Sequence, residues 1–222
     1  MARVKYGPYG PVAGKLGPNV YYTRLGQPVV RMIPHKSLEP ATVKQTRCRS
    51  NMSIVMEFVK AVNFFTNQGF KIKAKGFIGK TAQNMAVSYN MLNAIQGIAP
   101  DNSLDYSKIR VSEGKIENPA NIQVVLDGDK LKYTWDTHAD GNYFQNAQQA
   151  MLLVYYPEVK LAKMLLSSAR RREGVDYLPL HIPYNHLQQP TATYGETYIA
   201  FVADDREAIS TSVYTGRIDL FP

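Results

Sequence analysis

The sequence predicts an α+β fold that is mostly β, in which a basic N-terminal hairpin and two helices precede a C-terminal β-sandwich. The chain has 15 Tyr among 222 residues, against 8 Phe and one Trp, and Tyr favours strands. Two long stretches before residue 100 have helical spacing, whereas short apolar runs separated by turn signals follow residue 120. Residues 98–120, between the helical stretches and the strands, are rich in Asp, Asn, Ser and Pro, as linkers often are. This region therefore predicts a boundary between two domains, 1–110 and 111–222.

The first 19 residues predict a glycine- and proline-rich arm that does not pack as regular structure on its own. Two apolar runs then predict a β-hairpin, with strands at 20–23 and 29–33 and a turn near 24–27. Pro34 lacks a backbone donor and is expected to end the second strand.

The helical region is predicted to begin at Thr42 as N-cap and to run from residue 43 to about 66. Apolar residues recur there at steps of three or four, which predicts one broad buried face. Cys48 belongs to this face, and we therefore expect it to be a buried, reduced thiol. A second helix is predicted from Thr81 as N-cap to about residue 96.

Seven strands are predicted in the last hundred residues, and their number and spacing favour a sandwich of the immunoglobulin or fibronectin type III kind. The tetrapeptide 127–130, Asp-Gly-Asp-Lys, is a strong hairpin signal between the first two strands. The predicted strands lie at 121–126, 131–135, 150–156, 159–166, 177–182, 197–203 and 211–218.

The charge of the chain is concentrated at one end. The first 80 residues hold 14 of the 26 Lys and Arg but only two of the 18 acidic residues, Glu39 and Glu57. This segment carries +12, and the remainder carries −4. Such an asymmetry predicts a negatively charged partner for the N-terminal part.

Basic residues of this segment interleave with tyrosines, as in sites that combine charge with stacking. Nucleic acid, an acidic protein surface and anionic headgroups all suit such a segment, but it contains no recognised nucleic-acid motif. The predicted partner-binding residues are Lys15, Tyr21, Tyr22, Arg24, Arg31, Lys36, Arg47 and Arg49.

The sequence gives little support for an enzyme, and it predicts no cofactor, metal or small-molecule substrate. Residues 74–81 fit a relaxed phosphate-loop pattern ending in Lys80, but the mostly β chain after residue 100 does not suit a nucleotide-binding sheet. Asp127, which imitates a magnesium ligand, is predicted to lie in a hairpin turn. The four histidines have no metal-binding spacing. The basic cluster of Arg170, Arg171 and Arg172 is predicted to be a solvated loop.

Several short segments resemble an uncharacterised protein family of the Bacteroidota. They include Gly-Lys-Leu-Gly at 14–17, Gly-Gln-Pro-Val-Val-Arg at 26–31, Ala-Val-Ser-Tyr-Asn at 86–90 and Tyr-Ile-Ala-Phe at 198–201. Each piece is short, but the similarity extends over nearly the whole length of the chain. One member of that family resembles the plug that closes the periplasmic mouth of the large outer-membrane channel of type IX secretion.

The resemblance implies a mechanical role, with the large outer-membrane translocon protein as partner and the periplasmic face of the outer membrane as location. The N-terminus shows no signal peptide, and no apolar run is long enough to span a bilayer as a helix, so the sequence alone favours a cytoplasmic location. The alternative function is a structural or nucleic-acid-associated protein of a phage or other particle.

Overall fold

The computed structural model describes residues 2–3, 12–35, 39–137, 143–180 and 192–220. In these residues the fold is α+β and mostly β, as predicted, with five α-helices and several antiparallel sheets. The order of elements along the chain is an N-terminal sheet, a group of helices and then two further sheets.

The N-terminal sheet has four strands in the order β1-β4-β3-β2, with bounds Ala2–Arg3 (β1), Gly14–Leu16 (β2), Asn19–Arg24 (β3) and Gln27–Met32 (β4). The predicted hairpin is confirmed as β3 and β4. Its two-residue turn consists of Leu25 and Gly26, with φ of 48° and 75°, the positive values that tight hairpin turns require. The prediction of an arm is wrong for β2, because its residues pair with β3; residues 4–11 lie outside the described part.

The helices are α1 (Val43–Ala61), α2 (Asn63–Gly69), α3 (Lys71–Lys75), α4 (Ala82–Asn93) and the short α5 (Tyr143–Asn146). Both predicted N-caps are confirmed, since Thr42 and Thr81 each accept a hydrogen bond from a backbone N–H of the first turn. The single helix predicted over 43–66 is wrong in its extent. It is interrupted at Val62, and helical structure continues to Lys75. Residues 95–96, predicted as the end of the second helix, instead form the strand β5.

Seven strands follow, and each predicted strand segment overlaps one of them, with ends that differ by up to three residues: β7 (Gln123–Asp127), β8 (Lys130–Thr134), β9 (Gln149–Tyr156), β10 (Leu161–Leu165), β11 (Val175–Pro179), β12 (Tyr194–Val202) and β13 (Val213–Asp219). They form a central sheet, ordered β10-β9-β12-β13, and a three-stranded sheet, ordered β11-β8-β7. The predicted 127–130 turn joins β7 to β8. The short pair of β5 (Ile95–Gln96) and β6 (Ser103–Leu104) lies in the connecting region.

The central sheet is covered on both faces. Alternate residues of β9, among them Leu153 and Tyr155, join a helical cluster with Phe58 and other residues of α1, α2 and α4. The intervening residues, such as Leu152 and Val154, join an outer cluster with the three-stranded sheet. Because side chains alternate between sheet faces, one strand contributes to two cores, which explains its unbroken apolar run. The division into domains at residue 110 stays a prediction.

Two buried tyrosines, Tyr155 and Tyr198, belong to the helical cluster beside the central sheet. The Tyr155 ring meets Phe58 edge-on at a centroid distance of 4.9 Å, and the Tyr198 hydroxyl donates to the carbonyl oxygen of Tyr106 at 2.9 Å. Burial raises the pKa of Tyr155 to about 12, so that hydroxyl keeps its proton at neutral pH. The ring packs while the hydroxyl keeps a polar partner, as the Tyr-rich composition predicted.

The first half of α1 lies outside both clusters. Residues 43–49 are all exposed, and burial begins only at Val55. Cys48 is therefore exposed, and its predicted burial is wrong. The helical spacing was correctly recognised, but spacing does not show where along a helix the packing begins.

This exposed half depends on its cap. The backbone N–H of Gln45 donates to the Thr42 hydroxyl at 3.3 Å, and the Thr42 N–H donates to the Gln45 side-chain oxygen at 3.0 Å. We expect Thr42→Ala to cost about 1 kcal/mol locally and to speed amide exchange at residues 45–50 about fivefold. Hydrogen-exchange mass spectrometry measures this effect. Arg49→Ala, at an exposed position of the same helix beyond the first turn, is the control and should not speed exchange; equal acceleration in both variants would contradict the role of the cap.

Candidate partner-binding face

Four of the eight predicted partner-binding residues lie on one face of the N-terminal sheet. Directly opposed residues of antiparallel strands share a face, and so do residues two apart along a strand. Lys15 is opposite Val20, and Val20 is opposite Arg31, which aligns two cations across three strands. Tyr22 and Arg24 follow Val20 at steps of two. We call the face bearing Lys15, Val20, Tyr22, Arg24, Gln27, Val29 and Arg31 the basic face.

The basic face has an aromatic centre and charged margins. The guanidinium carbon of Arg31 lies 5.9 Å from the centroid of the half-buried Tyr22 ring, in a cation–π contact. Val29, opposite Tyr22, is buried, whereas Lys15, Arg24 and Arg31 are exposed. Exposed guanidinium and ammonium groups beside an aromatic ring are suited to bind carboxylates or phosphates.

The structure does not bring all eight predicted residues together. Tyr21 alternates with Tyr22 and therefore lies on the opposite face of the sheet. Arg47 and Arg49 are exposed on the first half of α1, and Lys36 lies outside the described residues. Among the described residues, neither hydrophobic cluster includes a residue of β2–β4 or of the first half of α1, so the predicted binding residues are in parts of the chain outside the core.

A groove beside α1 was missed by sequence reasoning. It has a volume of about 840 Å³, and its apolar floor includes Met52 and Met56. Lys60 and Lys160 are at its margin, and Lys160 forms an ion pair with Glu57 at 2.8 Å. The steps of four from Cys48 to Met52 and Met56 are the sequence signal for this groove, although the same spacing also fits a buried face.

The phosphate-loop-like segment lies between two helices. It runs from the end of α3 to the N-cap of α4, so no strand precedes it, whereas a phosphate loop follows a strand. Lys80 lies 4.7 Å from the centroid of the Phe77 ring. Asp127 ends β7 at a hairpin turn, as predicted.

The prediction that residues 170–172 form a solvated loop is wrong for Arg171. Arg171 and Arg172 belong to a short 3-10 helix, Arg171–Glu173, and Arg171 is 8% exposed. Its guanidinium donates to two oxygens, and its carbonyl oxygen accepts from the Trp135 indole N–H at 2.7 Å. A run of three arginines gives no sign of which one is buried, because that depends on the neighbouring strands.

Two further features are absent from the described ranges. There, no three His, Cys, Asp or Glu side chains are grouped closely enough to hold a metal ion. His35 is exposed, and His138, His181 and His186 are not among the described residues. No described helix combines the length and apolar character needed to cross a bilayer.

The fold and the basic face define a β-rich α+β protein with an exposed, cation-bearing N-terminal sheet. Residues 11–216 match the model of a family of unknown function, DUF6266, and the chain belongs to that family. The prediction of an uncharacterised family is thereby confirmed at this level. No curated protein and no solved structure matches the chain.

Proposed function

We propose that this protein is a non-enzymatic binding protein whose basic face contacts an acidic protein surface. The observation that carries the proposal is the alignment of Lys15, Arg24 and Arg31 around Tyr22 on one face of the N-terminal sheet. Aromatic and arginine side chains are the residue types that contribute most to protein interfaces, and opposite charge steers the encounter.

We further propose that the seven C-terminal strands form a sandwich of the immunoglobulin or fibronectin type III kind. Support comes from the division of the strands into sheets of four and three that enclose the outer cluster. The buried Trp135, which meets the Phe201 ring edge-on at 5.3 Å, lies in this cluster. Sandwiches of this class serve widely as rigid carriers of binding surfaces.

The specific function we propose is that of a plug, which reversibly closes the periplasmic end of the large outer-membrane channel of type IX secretion in the Bacteroidota. The short segments named above support this role by their resemblance. A plug needs a rigid body and a charged contact face. The layered core would supply the rigid body, and the basic face would supply the contact face.

The proposal is tested by capture from native cell envelopes. We expect the tagged protein to co-purify the large outer-membrane channel, and Arg24→Glu with Arg31→Glu to reduce recovery at least about tenfold, because both charges on the basic face are reversed. Quantitative mass spectrometry of the captured material measures the change. Lys130→Glu with Lys163→Glu is the matched control, since it makes the same charge change at two exposed positions of the C-terminal strands.

Recovery that falls equally in both double variants would show an effect of net charge alone and would contradict a role for the basic face. Recovery of cytosolic proteins without the channel would overturn the plug function. Cell fractionation of the wild type gives an independent reading, because a plug must be found with the outer membrane.

The second candidate is a structural or nucleic-acid-associated protein of a phage or other particle. The cation–π pair of Tyr22 and Arg31 favours it, since a stacking ring beside cations is a common arrangement for single strands. This function predicts single-strand affinity that falls steeply as salt rises. Fluorescence anisotropy with a labelled oligonucleotide at low salt would end this candidate if it detected no binding.

A further inference from the structure

Arg171 is a buried cation that forms no ion pair with a described side chain. Its Nη1 donates to the carbonyl oxygen of Glu117 at 2.8 Å and to Oε1 of Gln148 at 2.7 Å. Its guanidinium carbon lies 5.7 Å from the centroid of the Phe201 ring. These neutral groups fix the side chain in place, but none carries the negative charge that a buried guanidinium ordinarily requires.

Burial has an electrostatic cost at this position. It lowers the pKa of the Arg171 guanidinium from its ordinary value, and the Glu117 carboxylate only partly opposes that shift. Arginine nevertheless stays protonated in proteins, so the positive charge is permanent. An anion entering beside this group would gain an interaction that water screens much less than at an exposed arginine.

The guanidinium lines a polar cleft of about 460 Å³. Its lining residues are almost all polar, and they include the exposed Lys115 besides Arg171, Glu117 and Gln148. A cleft of this volume lies within the range of small-molecule sites. Its two cations and one carboxylate leave one net positive charge, which suits a ligand with a single negative charge.

The same cleft contains a buried acceptor that has no donor in the described structure. Asn118 lines the cleft, and its amide nitrogen donates to the carbonyl oxygen of Thr211 at 2.7 Å. That bond fixes the orientation of the amide. The side-chain oxygen of Asn118 is buried and has no hydrogen-bond partner in the described structure, so a donor that reached it would satisfy an unpaired acceptor.

We propose that this cleft binds a small carboxylate bearing a neighbouring N–H, as in an acylated amino acid or the carboxyl-terminal residue of a peptide. The carboxylate pairs with the Arg171 guanidinium, and the N–H donates to the Asn118 oxygen. This arrangement supplies both groups that the protein leaves unsatisfied: an anion for the cation and a donor for the acceptor. The site is separate from the basic face and does not depend on the function proposed above.

The chain contains its own reporter for this site. Trp135 is the single Trp, and its indole N–H donates to the Arg171 carbonyl oxygen. Its indole ¹H–¹⁵N resonance is therefore one isolated signal next to the cleft. We expect titration of the full chain with N-acetylglycine to shift this signal saturably. N-acetylglycinamide, which keeps the N–H but lacks the charge, should shift it at least about tenfold less at equal concentration.

Two charge-neutralising variants at the cleft should change the affinity in opposite directions. Glu117→Gln keeps the backbone carbonyl that holds Arg171 but removes the repelling carboxylate, so N-acetylglycine should bind about threefold more tightly. Lys115→Gln removes a cation and should weaken binding about threefold. Both side chains are exposed, so both variants should fold, and thermal unfolding checks this.

Peptides distinguish the two possible kinds of ligand, a free acylated amino acid and the carboxyl-terminal residue of a peptide. A peptide that ends in a free carboxylate, compared with its amidated form, should reproduce the shift if the cleft accepts chain ends. A response to N-acetylglycine alone would assign the cleft to free acyl amino acids. An unmoved indole signal up to about 50 mM N-acetylglycine, an equal response to the neutral amide, or the same change in both variants would overturn the proposal.

Discussion

Phe58→Ala is expected to lower the free energy of unfolding by about 4 kcal/mol, because it removes a buried ring from the helical cluster. Phe58 is 1% exposed and lies where α1 meets the central sheet. Its ring contacts Tyr155 edge-on at 4.9 Å and Tyr198 at 6.5 Å, so truncation leaves a cavity between two rigid layers. Equilibrium denaturation with urea, followed by circular dichroism, measures the change.

Phe64→Ala is the matched control because it removes the same ring from a neighbouring helix, α2. Phe64 is 71% exposed, so its truncation should change the free energy of unfolding by no more than about 0.5 kcal/mol. A loss below about 1 kcal/mol for Phe58→Ala would contradict the packing of the helices on the central sheet. Equal losses in the two variants would show that general helix propensity, and not burial, is responsible.

Gly69→Ala is expected to lower the free energy of unfolding by about 3 kcal/mol, although it adds only one methyl group. Gly69 ends α2, and its carbonyl oxygen accepts from the Glu113 N–H at 3.1 Å. A Cβ at this position would overlap the Val111 carbonyl oxygen and lie 2.8 Å from Cα of Ser112. These are backbone atoms, which cannot rotate away, so α2 must shift from the connecting segment.

Gly76→Ala makes the same substitution seven residues later, at the C-cap of α3. There the nearest atom to the new Cβ is the Lys73 carbonyl oxygen at 3.5 Å, an ordinary contact, and φ is −74°. We expect Gly76→Ala to be neutral or to stabilise the protein by up to about 1 kcal/mol, because alanine restricts the unfolded chain. Urea midpoints compare the pair, and similar midpoints would contradict the close approach of α2 to Val111.

The sequence predicted correctly those caps and turns whose structure depends only on a few adjacent residues. The threonine caps, the hairpin turn at Leu25 and Gly26 and the 127–130 turn each depend on a few adjacent residues, and each lies where it was expected. The interruption of the first helix at Val62 has no comparable signal, because the apolar spacing continues through it. Tertiary context overrides local spacing at such points, so a break of this kind cannot be located from the pattern alone.

The candidate site was predictable in part. Alternation along β3 places Tyr22 with Arg24 and Tyr21 on the other face, and the two-residue turn fixes Arg31 opposite Val20. The position of Lys15 was not predictable, since its segment has the composition of an arm and becomes a strand only by pairing with β3. Burial of Arg171 could not be predicted, because Glu117 and Gln148, which hold it, are distant in sequence.

The central sheet is apolar and covered on both faces, and this affects how its strands find their register during folding. A slip of one residue exchanges the faces of a strand, and sequences usually prevent this by making one face polar. In β9 both faces are apolar, so moving Leu152 into the place of Leu153 carries no penalty of exposed hydrophobic surface. Selection of the native register must therefore come from shape and from specific bonds, such as the one that the Tyr133 hydroxyl donates to the Leu153 carbonyl oxygen at 3.1 Å. β10 pairs with β9 across a short turn, which fixes the register of that pair locally. β12, the other partner of β9, is distant in sequence, so the β9–β12 register depends on contacts that close a long loop.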